Sequence, residues 1–438
     1  MKKPELLLPV KSWPNLKAVI PYADAVYFGA KELNMRVRSG NFALSELKKV
    51  VEECHKNNIK AYLAVNTVIY PEDTKKLEKV LDAAKNAKID AIICWDGAVI
   101  DAARKRNIPI HISTQANISN ANTALLYKKL GAKRVVLARE CSLKDIKAIN
   151  KETDIEIEAF VHGAMCVSIS GRCYLSSYLY GKSANCGDCL QPCRQQWKLV
   201  NEDKKEIVCE GKYLMSAKDL CMIAHIPELI KAGIGSFKVE GRLRDARYVE
   251  VVGKCYRAAI DAHFQSPETA GLSRQRKALK SLKPNQANHR LKSVVSPKFH
   301  DFEKTFDSKK VEGWLKELKS VYNRGFSTGF YFQKPGKKEF TYNSSNSHAS
   351  HARKQAGIVT NYYPKNKVAA VRIIAGKIHV GDEIIIEGKT TYFRQPIGSI
   401  ENNAKPSNFA EKGDIVGIKT SKKARKNDYL YVLVKNSK

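Results

Sequence analysis

Seven of the 11 cysteines in this 438-residue chain lie between Glu158 and Cys221. They are Cys166, Cys173, Cys186, Cys189, Cys193, Cys209 and Cys221, in the run EAFVHGAMCVSISGRCYLSSYLYGKSANCGDCLQPCRQQWKL, a polar insert and KYLMSAKDLC. Thiolates are soft ligands, suited to zinc or to iron–sulfur centres. Cys166 and Cys173 flank VSISGR, where Gly171 permits a tight turn; Cys186, Cys189 and Cys193 add CxxC and CxxxC spacings. Structural zinc sites favour two separated CxxC pairs. Here the thiols are strewn along one stretch, a pattern that points first to an iron–sulfur cluster, with zinc as the alternative. Spacing alone does not fix which four bind. A nucleophilic cysteine with His162 as its base is a competing arrangement, but it explains one cysteine and not seven. Cys54, Cys94, Cys141 and Cys255 sit in apolar runs and read as small buried hydrophobes.

The apolar run before Cys166 is one of a series. Candidate strands are Glu5–Leu8, Ala25–Gly29, Lys60–Asn66, Ala91–Trp95, Pro109–Ser113, Arg134–Ala138, Ile155–Val161 and Ser236–Glu240. Helical patterns lie between them, among them Leu44–His55, Glu72–Ala87, Gly97–Arg106 and Asn120–Leu130. Asn41 and Ser45 offer capping chemistry before the first of these, Pro71 and Asp73 before the second. Alternation of this kind gives parallel strands with helical crossovers, and about eight strands is the (β/α)-barrel number. An open doubly wound sheet is the other architecture, but no Gly-rich dinucleotide fingerprint supports it.

Polar residues follow the strands: Asn66 and Thr67, Trp95 and Asp96, Ser113, Gln115 and Asn117, Arg139 and Glu140, His162, then Glu240 and Arg242. In a barrel these ends share one face, where active sites are built. Any one of them could merely cap a helix; the set, rich in Gln, Arg and His, is harder to explain that way. Residues 1–265 are therefore expected to form the barrel. Residues 266–353 form a basic linker that returns to it, and 354–438 read as a small antiparallel β-barrel of short strands separated by turn residues.

The chain carries 76 Lys and Arg against 44 Asp and Glu, a net charge of +32. Such a surface attracts polyanions, and RNA is the first expected partner. A merely basic proteome is the plain alternative. No run of about 18 apolar residues exists to span a membrane. The apolar start is short and broken by Pro9, unlike a signal peptide, so a cytoplasmic location is expected. There thiols stay reduced, which favours metal or catalysis over disulfides.

HGAMCVSISGRC, GDCLQPCR and KVEGR resemble the signature of the collagenase-like peptidase family U32. The likeness extends through ELLLPV, DAVYFGA, NMRVR, NTVIYPED, STQANISN, VLARE, SAKDL and NRGFSTGFY. It implies more than the family name says, because the family includes oxygen-independent hydroxylases of tRNA uridine, ribosomal RNA cytidine and quinone precursors. It implies a 4Fe-4S cluster on Cys166, Cys173, Cys189 and Cys209, the last from VCEGKYL, with Cys193 as the rival fourth ligand. Cys186 stands where an arginine is usual. The charge favours an RNA substrate over a quinone precursor. The expected reaction is formation of 5-hydroxyuridine at the tRNA wobble position, drawing on prephenate. Arg36, Arg38, Arg139 and Arg242 are expected to hold that dicarboxylate, with Asn34, Asn66 and Gln115 beside it. His162, Glu240 and Arg242 are the expected catalytic residues. The alternatives are a peptidase, a ribosomal RNA cytidine hydroxylase or a quinone-precursor hydroxylase.

Overall fold

A computed structural model describes residues 2–207, 211–265, 307–342, 344, 347–403 and 405–436. Cys209 and the basic segment 266–306 lie outside the described residues.

Eight parallel strands close into a barrel: β1 Glu5–Pro9, β2 Ala25–Gly29, β3 Lys60–Ala64, β4 Ala91–Cys94, β5 Ile110–Ile112, β6 Ala132–Val136, β7 Glu156–Gly163 and β8 Ser236–Val239. Each pairs with the next, and β8 pairs with both β7 and β1, which closes the ring. Six helices cover the first six strands: α1 Trp13–Val19, α2 Leu47–Lys56, α3 Thr74–Asn86, α4 Gly97–Lys105, α5 Ala121–Lys129 and α6 Leu143–Glu152. Along each strand successive side chains alternate between helix layer and lumen. Leu6, Leu8, Val26 and Phe28 belong to the large outer core, whereas Leu7, Ala25, Tyr27, Tyr62, Ala91 and Ile93 pack together in an inner cluster.

The lower lumen is ionic. Arg134, 2% exposed, binds Glu5, Glu156 and Glu158, and Lys238 Nζ lies 2.7 Å from the other oxygen of Glu158. Buried charges of this kind persist only when paired, and here each has a partner.

The caps differ in part from expectation. Before α2 the Ala43 N–H is accepted by the Glu46 carboxylate at 3.0 Å, so neither Asn41 nor Ser45 caps this helix. Asn41 instead turns its amide onto the Arg36 carbonyl and accepts a bond from Arg242. Asp96 does cap α4, accepting from Ala98 N–H.

Between β7 and β8 runs the cysteine-rich excursion, with a short helix α7 at Leu175–Tyr180, a strand Asp219–Cys221 antiparallel to the end of β7, and α8 at Ile226–Lys231. Helix α9, Ala246–Gln265, covers β1. Helix α10, Ser308–Lys319, packs on α9, where Lys254 meets Glu317 at 2.9 Å. The chain then returns to the barrel mouth: Phe326–Ser327 pairs with Asp219–Leu220, and the Tyr331 hydroxyl donates to the Phe160 carbonyl at 2.6 Å. From His351 to Lys435 the chain forms an eight-stranded antiparallel sheet and a separate two-stranded ladder, with a core of their own. This module docks on α9, through Tyr392 donating to Glu250 at 2.7 Å.

Candidate active site at the barrel mouth

A cavity of about 390 Å³ opens at the C-terminal ends of the barrel strands. Its wall holds four of the cysteines, Cys166, Cys173, Cys189 and Cys193. The loop that carries them is fastened to several strand ends. Ser170 N–H is accepted by Glu140 at 2.9 Å, and Ser170 Oγ donates to Asn117 at 2.7 Å. Arg172 lies over the Trp95 ring at 4.5 Å. So Trp95, Asn117 and Glu140, all picked out as strand-end residues, anchor the loop and do not line the cavity. Gly187 has φ +89, and a Cβ there would stand 2.1 Å from the Asn34 carbonyl oxygen. Only glycine lets the loop lie this close to the turn after β2.

The four thiols share the cavity wall. Burial raises the Cys193 thiol to about 11 and raises Cys189, and the other three thiols of the set contribute to the Cys193 shift. Cys166 Sγ accepts Ser168 N–H at 3.4 Å and Cys189 Sγ accepts Gln191 N–H at 3.3 Å. Backbone N–H groups aimed at sulfur suit cysteines that act as thiolate ligands. Among the described residues no three His, Cys, Asp or Glu are close enough to share one metal ion. Cys186 is outside the wall, and Cys221 is buried behind it, 4.0 Å from the Tyr256 hydroxyl. Cys54, Cys94, Cys141 and Cys255 are buried.

The same cavity is cationic. Arg36, Arg38, Arg139, Arg194, Arg242, Arg324 and Lys238 line it against one carboxylate, Glu240. Glu240 lies 3.5 Å from Arg36 and 3.7 Å from Arg139. Burial pushes its pKa up, but Arg36, Arg139, Arg242 and Lys238 together hold it below the usual carboxylate value, so it is ionised. Arg139 stacks on Phe160 at 3.7 Å. Arg242 gives one Nη2 to both Asn34 and Asn41. Its burial brings its pKa down to about 10. The Nε atoms of Arg36 and Arg242 are buried without a partner. Unsatisfied buried donors are costly, and an anion in the cavity would relieve that cost. Asn66 and Gln115 line the wall and bond each other at 3.4 Å.

Two expected site residues lie elsewhere. Asn34 is not in the wall; it is the acceptor that orients Arg242. His162 is 2% exposed and also outside the wall. The reason is a β-bulge. Lys238 pairs with Phe160 but Val239 pairs with His162, so Val161 is the extra residue and the inward alternation of Glu158 and Phe160 stops there. His162 therefore packs against Tyr248, Tyr256 and Phe326. Burial depresses it to about 3, which leaves it neutral. Among the described residues no cysteine hydrogen-bonds the His162 ring, whose one side-chain partner is the Tyr256 hydroxyl at 3.4 Å. Lys238, Arg194 and Arg324 were missed by sequence reasoning. Lys238 had a signal, since it alternates with Glu240 and Arg242 along KVEGR; Arg324 arrives from a distant segment and had none.

Residues 11–301 match the description Peptidase family U32. The chain is 43% identical over 440 residues to an uncharacterized protease of Methanocaldococcus jannaschii, covering 98% of each chain. It is 35% identical to a collagenase of Porphyromonas gingivalis, covering 98% of this chain and 97% of the relative. It is 34% identical to a tRNA hydroxylation protein of Bacillus subtilis, covering 82% of this chain and 78% of the relative. Among solved structures, one titled "The Structure of the U32 Peptidase Mk0906" is similar at 15% identity and TM-score 0.33, covering 37% of this chain and 70% of that one. The matched segment takes in seven of the eight barrel strands, the cysteine loop and every cavity cation named above except Arg324, and the chain belongs to peptidase family U32.

Proposed function

We propose that this protein is an oxygen-independent RNA base hydroxylase acting on uridine at the wobble position of tRNA. A small dicarboxylate such as prephenate serves as its co-substrate. The observation that carries the reading is the sharing of one cavity by four thiols and seven cations at the C-terminal mouth of a barrel. A peptide needs no such charge; an anionic co-substrate and a nucleotide do.

Cys166, Cys173 and Cys189 would hold a 4Fe-4S cluster. Cys193 is the fourth thiol in the wall, and Cys209 is the fourth in the family resemblance. All-thiolate ligation fits such a cluster, which when bound supplies one-electron chemistry. The protein's own residues bind and orient. Arg36 and Arg242 each have a buried Nε–H without a protein partner, a donor that a carboxylate could take up. Glu240, ionised and flanked by Arg36 and Arg139, accepts a proton rather than donating one. Asn66 and Gln115 present amides in the cavity wall. A base in a tRNA loop is cheaply unstacked and can enter a pocket of this size. The charge of +32 attracts the phosphate backbone around it. Relatives named for tRNA hydroxylation in Bacillus subtilis and for 23S rRNA 5-hydroxycytidine synthesis in Escherichia coli support an RNA substrate.

The collagenase-named relatives support a peptidase less well, because His162, at the end of the strand that leads into the cysteine loop, does not line the cavity. Mass spectrometry of nucleosides from total tRNA and ribosomal RNA of a deletion strain tests the reading. Loss of 5-hydroxyuridine from tRNA, restored by the wild-type gene and not by a Cys189→Ser gene, is expected. Unchanged nucleosides, together with gelatin cleavage by the pure protein, would overturn it.

A further inference from the structure

Large apolar side chains are exposed in unusual concentration between Val167 and Tyr180: Val167, Ile169, Tyr174, Tyr178 and Tyr180. Tyr174 and Tyr178 are the most open of them, at 74% and 77%. Such residues scattered singly need no explanation, but a concentration of them marks an interaction surface.

The stretch leads directly out of the cavity. Cys173 is in the wall, and Tyr174 is the next residue, one Cα step of about 3.8 Å away. The Tyr174 carbonyl accepts Tyr178 N–H at 2.9 Å, so the two residues lie one turn apart on the same side of α7. The helix that carries them is fastened. Ser176 is fully buried, and its Oγ accepts Leu190 N–H at 3.1 Å. The Tyr180 hydroxyl donates to the Gln195 side chain at 2.7 Å and ties the end of α7 to the cysteine loop. Tyr180 therefore has a structural task. Among the described residues, Tyr174 and Tyr178 have neither a side-chain hydrogen bond nor a ring partner.

The surroundings are basic. From Cys166 to Val200 the cations are Arg172, Lys182, Arg194 and Lys198, and the only carboxylate is Asp188. That carboxylate is itself covered by cations, Arg38 at 3.1 Å and Lys182 at 3.8 Å. Arg38 lines the cavity and is half-exposed, and Arg172 is exposed two residues before Tyr174. An apolar protein partner has no use for cations around the rings. Unpaired nucleotides combine π-faces with phosphates, and aromatic rings set among cations are what binds them.

We propose that Tyr174 and Tyr178 form a stacking platform for unpaired bases of an RNA loop, beside the nucleotide that enters the cavity, with the surrounding cations attracting its phosphates. This rests on the reading that RNA is the substrate, and it names the surface that holds the loop. A tyrosine ring offers a large contact area at little cost in side-chain freedom, and a fastened helix presents it ready for binding. Stacking accepts any base, so the platform supplies affinity for unpaired RNA and leaves the choice of nucleotide to the cavity.

The test is fluorescence-anisotropy binding of a labelled tRNA anticodon stem–loop, and of an RNA duplex of equal length without a loop, to the full-length, anaerobically purified protein. Tyr174→Ala and Tyr178→Ala are each expected to weaken stem–loop binding about tenfold, whereas Tyr174→Phe and Tyr178→Phe should stay within about twofold of wild type. Duplex binding and the thermal unfolding midpoint should not change, because both rings are exposed. Unchanged stem–loop affinity in the folded Tyr174→Ala/Tyr178→Ala double variant overturns the platform and leaves the proposed function standing. An equal loss of affinity for the duplex overturns stacking on unpaired bases. A double variant that turns from dimer to monomer in solution with its RNA affinity intact gives the face to a second copy of the chain and also overturns the platform. A wild type that binds neither RNA overturns both the platform and the proposed function.

Discussion

Gly163 and Glu240 meet backbone to backbone: a Cβ on Gly163 would stand 2.3 Å from the Glu240 carbonyl oxygen, and Gly163 has φ +107. The point where the chain leaves β7 for the cysteine loop is thus the point against which the cavity carboxylate is set. Gly163→Ala must both strain the backbone and displace Glu240. It is expected to cost about 1–3 kcal/mol of stability, read by denaturant unfolding, and to lower cluster occupancy in the folded fraction.

The cysteines sort by position. Anaerobic protein is expected to absorb broadly near about 400 nm with about four irons per chain. Serine at Cys166, Cys173 or Cys189 should abolish the colour, and serine at the buried Cys94 should leave it. Serine at Cys193 should also abolish it, because Cys193 shares the wall with the other three. Colour that survives there and vanishes in Cys209→Ser would give the fourth position to Cys209.

His162 has a pH signature separate from chemistry. Its pKa falls from 6.5 to about 3 in the folded protein. The unfolded chain therefore binds a proton that the folded one refuses, so stability is full above about 6.5 and is lost as pH falls towards 3. The slope approaches about 1.4 kcal/mol per pH unit for one proton. His111, also buried and held well below its usual value, adds in the same direction. His162→Phe should reduce the dependence by about one proton in urea titrations between about pH 4 and 6, where 6.5 and 3 bracket the change. It should leave hydroxylation within a few-fold, whereas Arg139→Gln should not.

Glu240 competes with any anionic guest for Arg36 and Arg139, at 3.5 and 3.7 Å. Glu240→Gln is expected to tighten prephenate binding several-fold while lowering the turnover rate at least tenfold. Binding that weakens in step with turnover would make Glu240 a ligand contact and not a proton acceptor.

RNA binding should be strongly salt-dependent. With +32 formal charges, affinity measured from about 50 to 200 mM salt should fall by about a thousandfold or more if six or more phosphates are neutralised. A flat salt profile would remove the polyelectrolyte argument for RNA.

The barrel was legible in the sequence because strand–helix alternation and the two-residue strand period are local properties. All eight strands stand within a few residues of the expected places, and the crowded cysteines stood out by type and spacing. The strand-end argument also found Arg139, Gln115, Asn66, Glu240 and Arg242. It failed at His162, where one bulged residue reversed the face; Asn34, expected beside the dicarboxylate, and Asn41, expected as a helix cap, instead accept bonds from Arg242. Residue order and type alone determined that this chain makes a basic β/α barrel with a thiol-rich loop at its mouth. Tertiary structure alone decided which side chains share the cavity. It brought Arg324 from beyond α10, Cys193 from the loop's far end and Lys238 from β8 to one cavity. That choice depends on register, bulges and long-range packing, which no local periodicity encodes.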